Sequence, residues 1–159
     1  MIHRDLKPDN ILITEGENGQ LLARVLDFGL AKLAQIVGPD ASEASITSPG
    51  TIMGTFGYMA PEQLTGTAVD ERSDLFAVGV IVVEVLIGRR PFSGNTYHEL
   101  LTDMLRGTFS LPDDSPDGRR LDYVLQRCLA KDRAQRYASA SEMQHELIPV
   151  LRCYRQGLG

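Results

Sequence analysis

The sequence predicts a mainly α-helical fold that carries one small β-hairpin near its start. Three observations predict it. Two short β-prone runs, Ile11-Leu12-Ile13-Thr14 and Leu21 to Leu26, flank the turn-rich Glu15-Gly16-Glu17-Asn18-Gly19-Gln20. An apolar run from Leu75 to Ile87 holds a single charge, Glu84. From Thr96 onward, apolar positions recur at helical spacing behind two capping boxes.

Taken in order, the chain opens on His3-Arg4-Asp5-Leu6-Lys7-Pro8-Asp9-Asn10, a polar stretch whose spacing suits a compact loop. Asp5, Lys7 and Asn10 converge there on one small volume. The hairpin follows, and its second strand ends on Asp27-Phe28-Gly29, close to the loop that precedes the first. Gly29 permits a backbone bend that a larger residue resists. Residues Leu30 to Gly54 lack sustained periodicity, and Gly38 to Thr51 is rich in Ser, Thr, Gly and Pro, the composition of a mobile loop. That region runs into Gly54-Thr55-Phe56-Gly57-Tyr58-Met59-Ala60-Pro61-Glu62.

The run Leu75 to Ile87 is apolar on every face, so it reads as a helix through the core, stopped by Gly88. Its β-branched residues also suit a strand; length and the glycine stop favour the helix. Thr96-Tyr97-His98-Glu99 is a capping box opening a helix to about Arg106, closed by Gly107. Asp113 to Gly118 reads as acidic loop, after which Leu121, Val124, Leu125, Cys128 and Leu129 fall on a helical stripe. Lys131 to Tyr137 reads as a charged connector. Ser139 and Glu142 form a second capping box, for a helix carrying Met143, Leu147 and Val150 that Pro149 kinks or ends. His98 and His145 read as surface residues, and Cys153 onward as a frayed tail.

The totals set bounds. The 159 residues suffice for one domain with a core, and 43% hydrophobic with 23% charged is an ordinary globular mixture. A net charge of −5 argues against a nucleic-acid or anionic-membrane surface. The longest apolar run is too short to span a bilayer. Cys128 and Cys153 form no metal-spaced pair, and Cys128 on its apolar stripe reads as a buried thiol in a reducing, cytoplasmic compartment. No signal peptide is visible.

Three motifs stand in register: His3-Arg4-Asp5-Leu6 with Asn10, then Asp27-Phe28-Gly29, then Ala60-Pro61-Glu62. In this order they resemble the catalytic loop, the DFG and the APE of eukaryotic-type protein kinases, and the chain looks most like bacterial serine/threonine kinases of that class. The resemblance runs from Ile2 to about Arg152 and covers only the large, mostly helical lobe of that fold. It gives a unit at 1–152 and a tail at 153–159, with the stretch from Asp27 to Glu62 as the activation segment.

The resemblance implies the site. Asp5 orients the substrate hydroxyl and accepts its proton, and Lys7 contacts the γ-phosphate of ATP. Asn10 and Asp27 hold Mg²⁺. Leu12 lies beneath the adenine ring, and Thr55 touches the catalytic Asp and Lys. His3 and Phe28 pack beneath the site, Asp74 hydrogen-bonds the catalytic-loop backbone, and Glu62 pairs with Arg136. Lys7 before Pro8, together with Thr55, fits a Ser/Thr acceptor on a protein substrate. Arg4 fits activation by loop phosphorylation, with Thr51 the first candidate and Thr47 and Ser48 next.

Neither a G-x-G-x-x-G-x-V loop nor a V-A-I-K strand occurs in these residues. Met1 stands directly before the catalytic loop, so the expectation is a truncated chain or a misplaced start, with an uncovered apolar upper face and little activity in isolation. The alternative expectation is a catalytically silent lobe that acts as a binding or regulatory module.

Overall fold

The structure is a computed structural model and describes residues 2–26 and 56–157. The expectations for Asp27, Phe28, Gly29, Thr47, Ser48, Thr51 and Thr55 lie outside the described residues.

After a 3₁₀ turn at Pro8–Asn10, strand β1 (Ile11–Glu15) pairs antiparallel with β2 (Leu21–Val25), Ile11 opposite Val25 and Glu15 opposite Leu21. Gly19 makes the turn at φ +72°, where a side chain is strained. The hairpin is the predicted one. Successive residues point to opposite faces of a strand, yet Leu12 and Ile13 are both exposed, as are Leu21, Leu22 and Val25. Apolar side chains are therefore exposed on both faces of the hairpin.

The remaining elements are helical. A short helix α1 (Pro61–Leu64) follows Ala60, and α2 (Arg72–Ile87) runs through the centre with Leu75, Phe76, Ala77, Val80 and Val83 buried. Gly88 ends α2 at φ +72°, its N–H on the Glu84 carbonyl, as the sequence predicts. The burial is less complete than the all-round apolar pattern suggests: Val85, near the C-terminal end, is 79% exposed. Gly79 allows a close approach in the core, since a Cβ there would lie 2.8 Å from the Cys128 Cβ.

Helix α3 (Tyr97–Arg106) carries the predicted cap, Thr96 Oγ1 accepting from the Glu99 N–H at 3.1 Å. The Glu99 carboxylate reaches back to Asn95 N–H, one residue earlier than a standard box. Helix α4 (Pro116–Cys128) begins inside the stretch read as acidic loop. Ser115 Oγ accepts from Gly118 N–H, and Pro116 occupies the first helical turn, where its missing N–H costs nothing. Cys128 is buried as expected, and burial pushes its thiol up to about 12, so it stays protonated.

Helix α5 (Ala140–Gly157) packs along α4 and has the predicted Ser139–Glu142 cap. It does not stop at Pro149 or fray from Cys153. Leu147, Val150, Leu151 and Tyr154 pack on the core and hold the helix past the one backbone bond that proline removes. Arg127 of α4 bridges to Glu142 at 2.5 Å and Glu146 at 3.1 Å, tying the two helices. None of the described helices is long and apolar enough to cross a membrane.

The charged connector 131–137 is more than a surface link, because Arg136 and Tyr137 are both buried. Arg136 makes a fork to Glu62, 2.7 Å to Oε1 and 2.9 Å to Oε2, and its Nε donates to the Ala130 carbonyl. Ser73 Oγ adds a 2.5 Å bond to Glu62. Burial pushes the Glu62 carboxyl up, but the hydrogen bonds from Arg136 and Ser73 outweigh it and hold the group below its ordinary value. Lys131 is the contrast: its Nζ is the one buried side-chain polar atom with no hydrogen-bond partner among the described residues, 3.8 Å from the Phe92 ring centroid. Burial lowers it to about 8, against the opposing pull of Asp103.

Two predictions follow from these charges. Glu62→Ala strands the buried Arg136 and is expected to cost about 3–5 kcal/mol in urea unfolding; a loss under about 1 kcal/mol would contradict the pair's role. Because Glu62 is depressed in the fold, its contribution is full above about 4.5 and is lost as pH falls through the folded value. Lys131→Met removes an unpaired buried cation and is expected to stabilise by about 1 kcal/mol near neutral pH. A lysine depressed by folding gains the native state stability as pH rises above about 8, so the gap between variant and parent should narrow toward pH 9 or so. A gap that is flat with pH would show that the amine is not desolvated.

Candidate active site

The site begins with a carboxylate on the first turn of α2. Asp74 accepts two backbone hydrogen bonds, from His3 N–H at 2.7 Å and from Arg4 N–H at 2.9 Å, one on each oxygen. Arg4 has φ +69°, the only positive φ at a non-glycine among the described residues. That conformation costs about 1–3 kcal/mol at a residue with a side chain and persists only where surrounding groups impose it. Asp74 is one such group, the contact with the loop backbone that the family resemblance implies, and Asp5 follows directly after the turn it holds.

His3 braces the same turn from below and is buried. The Asp5 N–H lies 3.3 Å from its Nδ1, and its Nε2 lies 3.0 Å from the Leu26 carbonyl. An N–H donates and a carbonyl accepts, so these two contacts suit the tautomer that carries its proton on Nε2. The Leu26 N–H in turn donates to the Asn10 carbonyl at 2.8 Å. The end of the hairpin is thus stitched to both ends of the loop.

Within this frame the structure brings Asp5, Lys7 and Asn10 together. Lys7 Nζ is 3.6 Å from Asp5 Oδ2, and both side chains are buried. Asn10 Nδ2 donates to the Asp5 carbonyl at 2.7 Å and to Asp5 Oδ2 at 3.2 Å. The carboxamide therefore uses its nitrogen inward, and its Oδ1 takes no hydrogen bond from the described residues. A carboxylate, an amine and a carboxamide oxygen in one small volume can orient a hydroxyl, counter a phosphoryl charge and offer oxygen to a hard cation. Leu12 lies on β1, two residues beyond Asn10, and is 46% exposed. Asp27 and Thr55, also assigned from the motifs, lie outside the described residues. Among the described residues no group of three or more His, Cys, Asp or Glu stands at metal-binding positions.

Sequence reasoning missed two side chains at this site. Tyr58 donates to Glu84 of α2 at 2.6 Å, and burial with that hydrogen bond pushes its hydroxyl up to about 12. No local pattern announces this pairing across 26 residues. Gln63 of α1 donates to the Arg4 carbonyl at 2.8 Å and accepts from Ala60 N–H at 3.0 Å. Its spacing from Ala60 is that of a capping box without the hydroxyl, which was the available signal.

Comparison with known proteins matches the protein kinase domain family over residues 1–148. The chain is 36% identical over 153 residues to the probable serine/threonine-protein kinase PknB of Bifidobacterium longum, covering 95% of this chain and 21% of that protein. It is 38% identical over 167 residues to serine/threonine-protein kinase pkn2 and 40% identical over 158 residues to Pkn1, both of Myxococcus xanthus. Those alignments cover 100% and 95% of this chain but 19% and 21% of the relatives. The chain spans about a fifth of the length of these proteins.

Asp74→Asn retains the shape but supplies one carbonyl-type acceptor in place of two charged ones. It is expected to lose about 1–3 kcal/mol in denaturant unfolding. An unchanged midpoint would mean that the turn at Arg4 does not depend on Asp74.

Proposed function

The chain belongs to the protein kinase family, in its bacterial serine/threonine class, and from that premise we propose that it is the catalytic lobe of an enzyme that moves the γ-phosphoryl group of ATP to Ser or Thr hydroxyls of proteins. The observation that carries this reading is the convergence of Asp5, Lys7 and Asn10 around one carboxylate oxygen, at 3.6 and 3.2 Å. The full set serves phosphoryl transfer, whereas a purely structural loop has no need of a buried Lys beside a buried Asp.

In this reading Asp5 holds the acceptor hydroxyl in line and takes its proton as the oxygen bonds to the γ-phosphorus and the bond from that phosphorus to the bridging oxygen breaks, ADP leaving with the electron pair. Lys7 sets its positive charge against the transferring group. Bound Mg²⁺ and ATP supply the phosphoryl group and its charge neutralisation. The donor set fits Mg²⁺, a hard cation that takes oxygen ligands: Asn10 Oδ1 is not engaged by the described residues, and Asp27 follows Leu26 in the sequence. Asn10 and Asp27 are the proposed metal ligands. Leu12 is assigned to the adenine face, in keeping with its exposure at the hairpin surface. Thr55 is assigned to contacts with Asp5 and Lys7. The phosphate-acceptor partners are proteins rather than nucleic acids, in keeping with the net charge of −5, and the compartment is the cytoplasm, where ATP is supplied.

A second reading, a kinase-like lobe that docks a partner without chemistry, draws on the exposed apolar residues of the hairpin, Leu12, Ile13 and Leu21. Mutation separates the two. In the kinase polypeptide that contains this chain, Asp5→Asn is expected to lower phosphoryl transfer to a Ser/Thr peptide about 10²–10⁴-fold with the thermal midpoint nearly unchanged. Transfer within about threefold of the parent would sink the enzymatic reading. Asn10→Ala is expected to abolish the thermal shift produced by Mg²⁺ with ATP, whereas a silent lobe shows no shift to lose.

A further inference from the structure

Gln63 is buried at the first turn of α1, and both ends of its carboxamide are used. Its Oε1 accepts the Ala60 N–H at 3.0 Å, and its Nε2 donates to the Arg4 carbonyl at 2.8 Å, across 59 residues of sequence. Arg4 is thereby bracketed. Its N–H goes to Asp74 of α2, its C=O goes to Gln63 of α1, and between them its backbone stands at φ +69°. The next residue is Asp5. The side chains of Asp74, His3 and Asn10 hold the loop from α2, from within and from the hairpin side. Gln63 ties it to α1.

The far end of that tie is set in the core. Phe56, Met59 and Ala60 are buried, and Met59 N–H closes a turn on the Phe56 carbonyl. Arg4, Asp5 and Leu6 line a small crevice together with Tyr58, Met59 and Gln63. The segment 56–60 and the loop 4–6 are therefore apposed, and one carboxamide joins their backbones.

We propose that Gln63 is a positioning residue that transmits the seating of residues 56–60 to the Arg4–Asp5 peptide, so that Asp5 is aimed only when α1 is docked. Its part in catalysis rests on the kinase reading; its part in fixing the loop does not. A glutamine is suited to the task because it presents an acceptor and a donor in one plane. A glutamate keeps the acceptor for Ala60 but turns a second oxygen against the Arg4 carbonyl.

Amide hydrogen exchange on the chain tests this without any assay of activity. In Gln63→Glu, the Arg4 and Asp5 amides are expected to exchange about tenfold faster than in the parent, with Val80 of α2 and Leu125 of α4 changed less than about twofold. As pH falls from about 7 to about 4, through the ordinary glutamate value of about 4.3, the introduced carboxyl regains a proton to donate, and the ratio to the parent at the same pH should shrink toward one. Unchanged exchange at Arg4 and Asp5, acceleration shared equally by α2 and α4, or a ratio that does not move with pH would each overturn the proposal. In the kinase that contains this chain, the same variant is expected to lower kcat about 10- to 100-fold with the KM for ATP within about twofold. Loss confined to that KM would place Gln63 at nucleotide binding instead. If exchange follows the expectation while neither parent nor variant transfers phosphate, the tie stands and the kinase reading falls.

Discussion

The Asp74 carboxylate is the interaction on which the rest of the site depends. It sits at the start of the most buried helix and accepts the N–H groups of His3 and Arg4. Those two bonds carry the rigidity of the core into a loop that has little core of its own. They also help to impose the left-handed Arg4 backbone, without which Asp5 would follow a different direction from the same sequence. Loop residues gain precision when a rigid element holds their backbone as well as their side chains.

The core supplies that rigidity through apolar packing and one buried ion pair. Phe76, Val80 and Val83 of α2 pack with Leu121, Leu125 and Cys128 of α4, where Gly79 lets the two helices approach. Glu62 and Arg136 then lock α1, the piece that ends in Gln63 and Leu64, to the connector before α5. Such a pair is weak evidence for net stability, because desolvation offsets most of its attraction. Its geometry is another matter: a planar fork on a fixed carboxylate allows few alternative placements of α1. The same placement sets Gln63 under Arg4.

Much of this was legible in the sequence for identifiable reasons. Helix α2 announced itself through length, a continuous apolar run and Gly88; the hairpin did so through β-prone runs around a glycine turn. Asp5, Lys7 and Asn10 were legible because their spacing is local, so one turn of loop brings them together. The links Asp74 to Arg4 and Glu62 to Arg136 span 70 and 74 residues and were reached only through family resemblance. What was missed has physical causes. The start of α4 was hidden because Ser115-Pro116-Asp117 reads equally as acidic loop until Ser115 is seen to cap it. The end of α5 was misread because proline was weighed as a local breaker, while Leu151 and Tyr154 supply tertiary contacts that override it. Gln63 and Tyr58 act at long range through single hydrogen bonds, for which no periodicity exists.

We propose that a loop held by α1 and α2 aims Asp5 at an acceptor hydroxyl and Asn10 at a divalent cation. The decisive experiment is a crystal structure of the protein with Mg²⁺, a non-hydrolysable ATP analogue and a serine peptide. Asn10 Oδ1 is expected on the cation at about 2.0–2.1 Å. The serine hydroxyl is expected within about 2.6–3.2 Å of the Asp5 carboxylate, with Asp74 still on the His3 and Arg4 amides. A cation bound away from Asn10, or a serine hydroxyl directed to another residue with Asp5 still turned into Lys7, would contradict it.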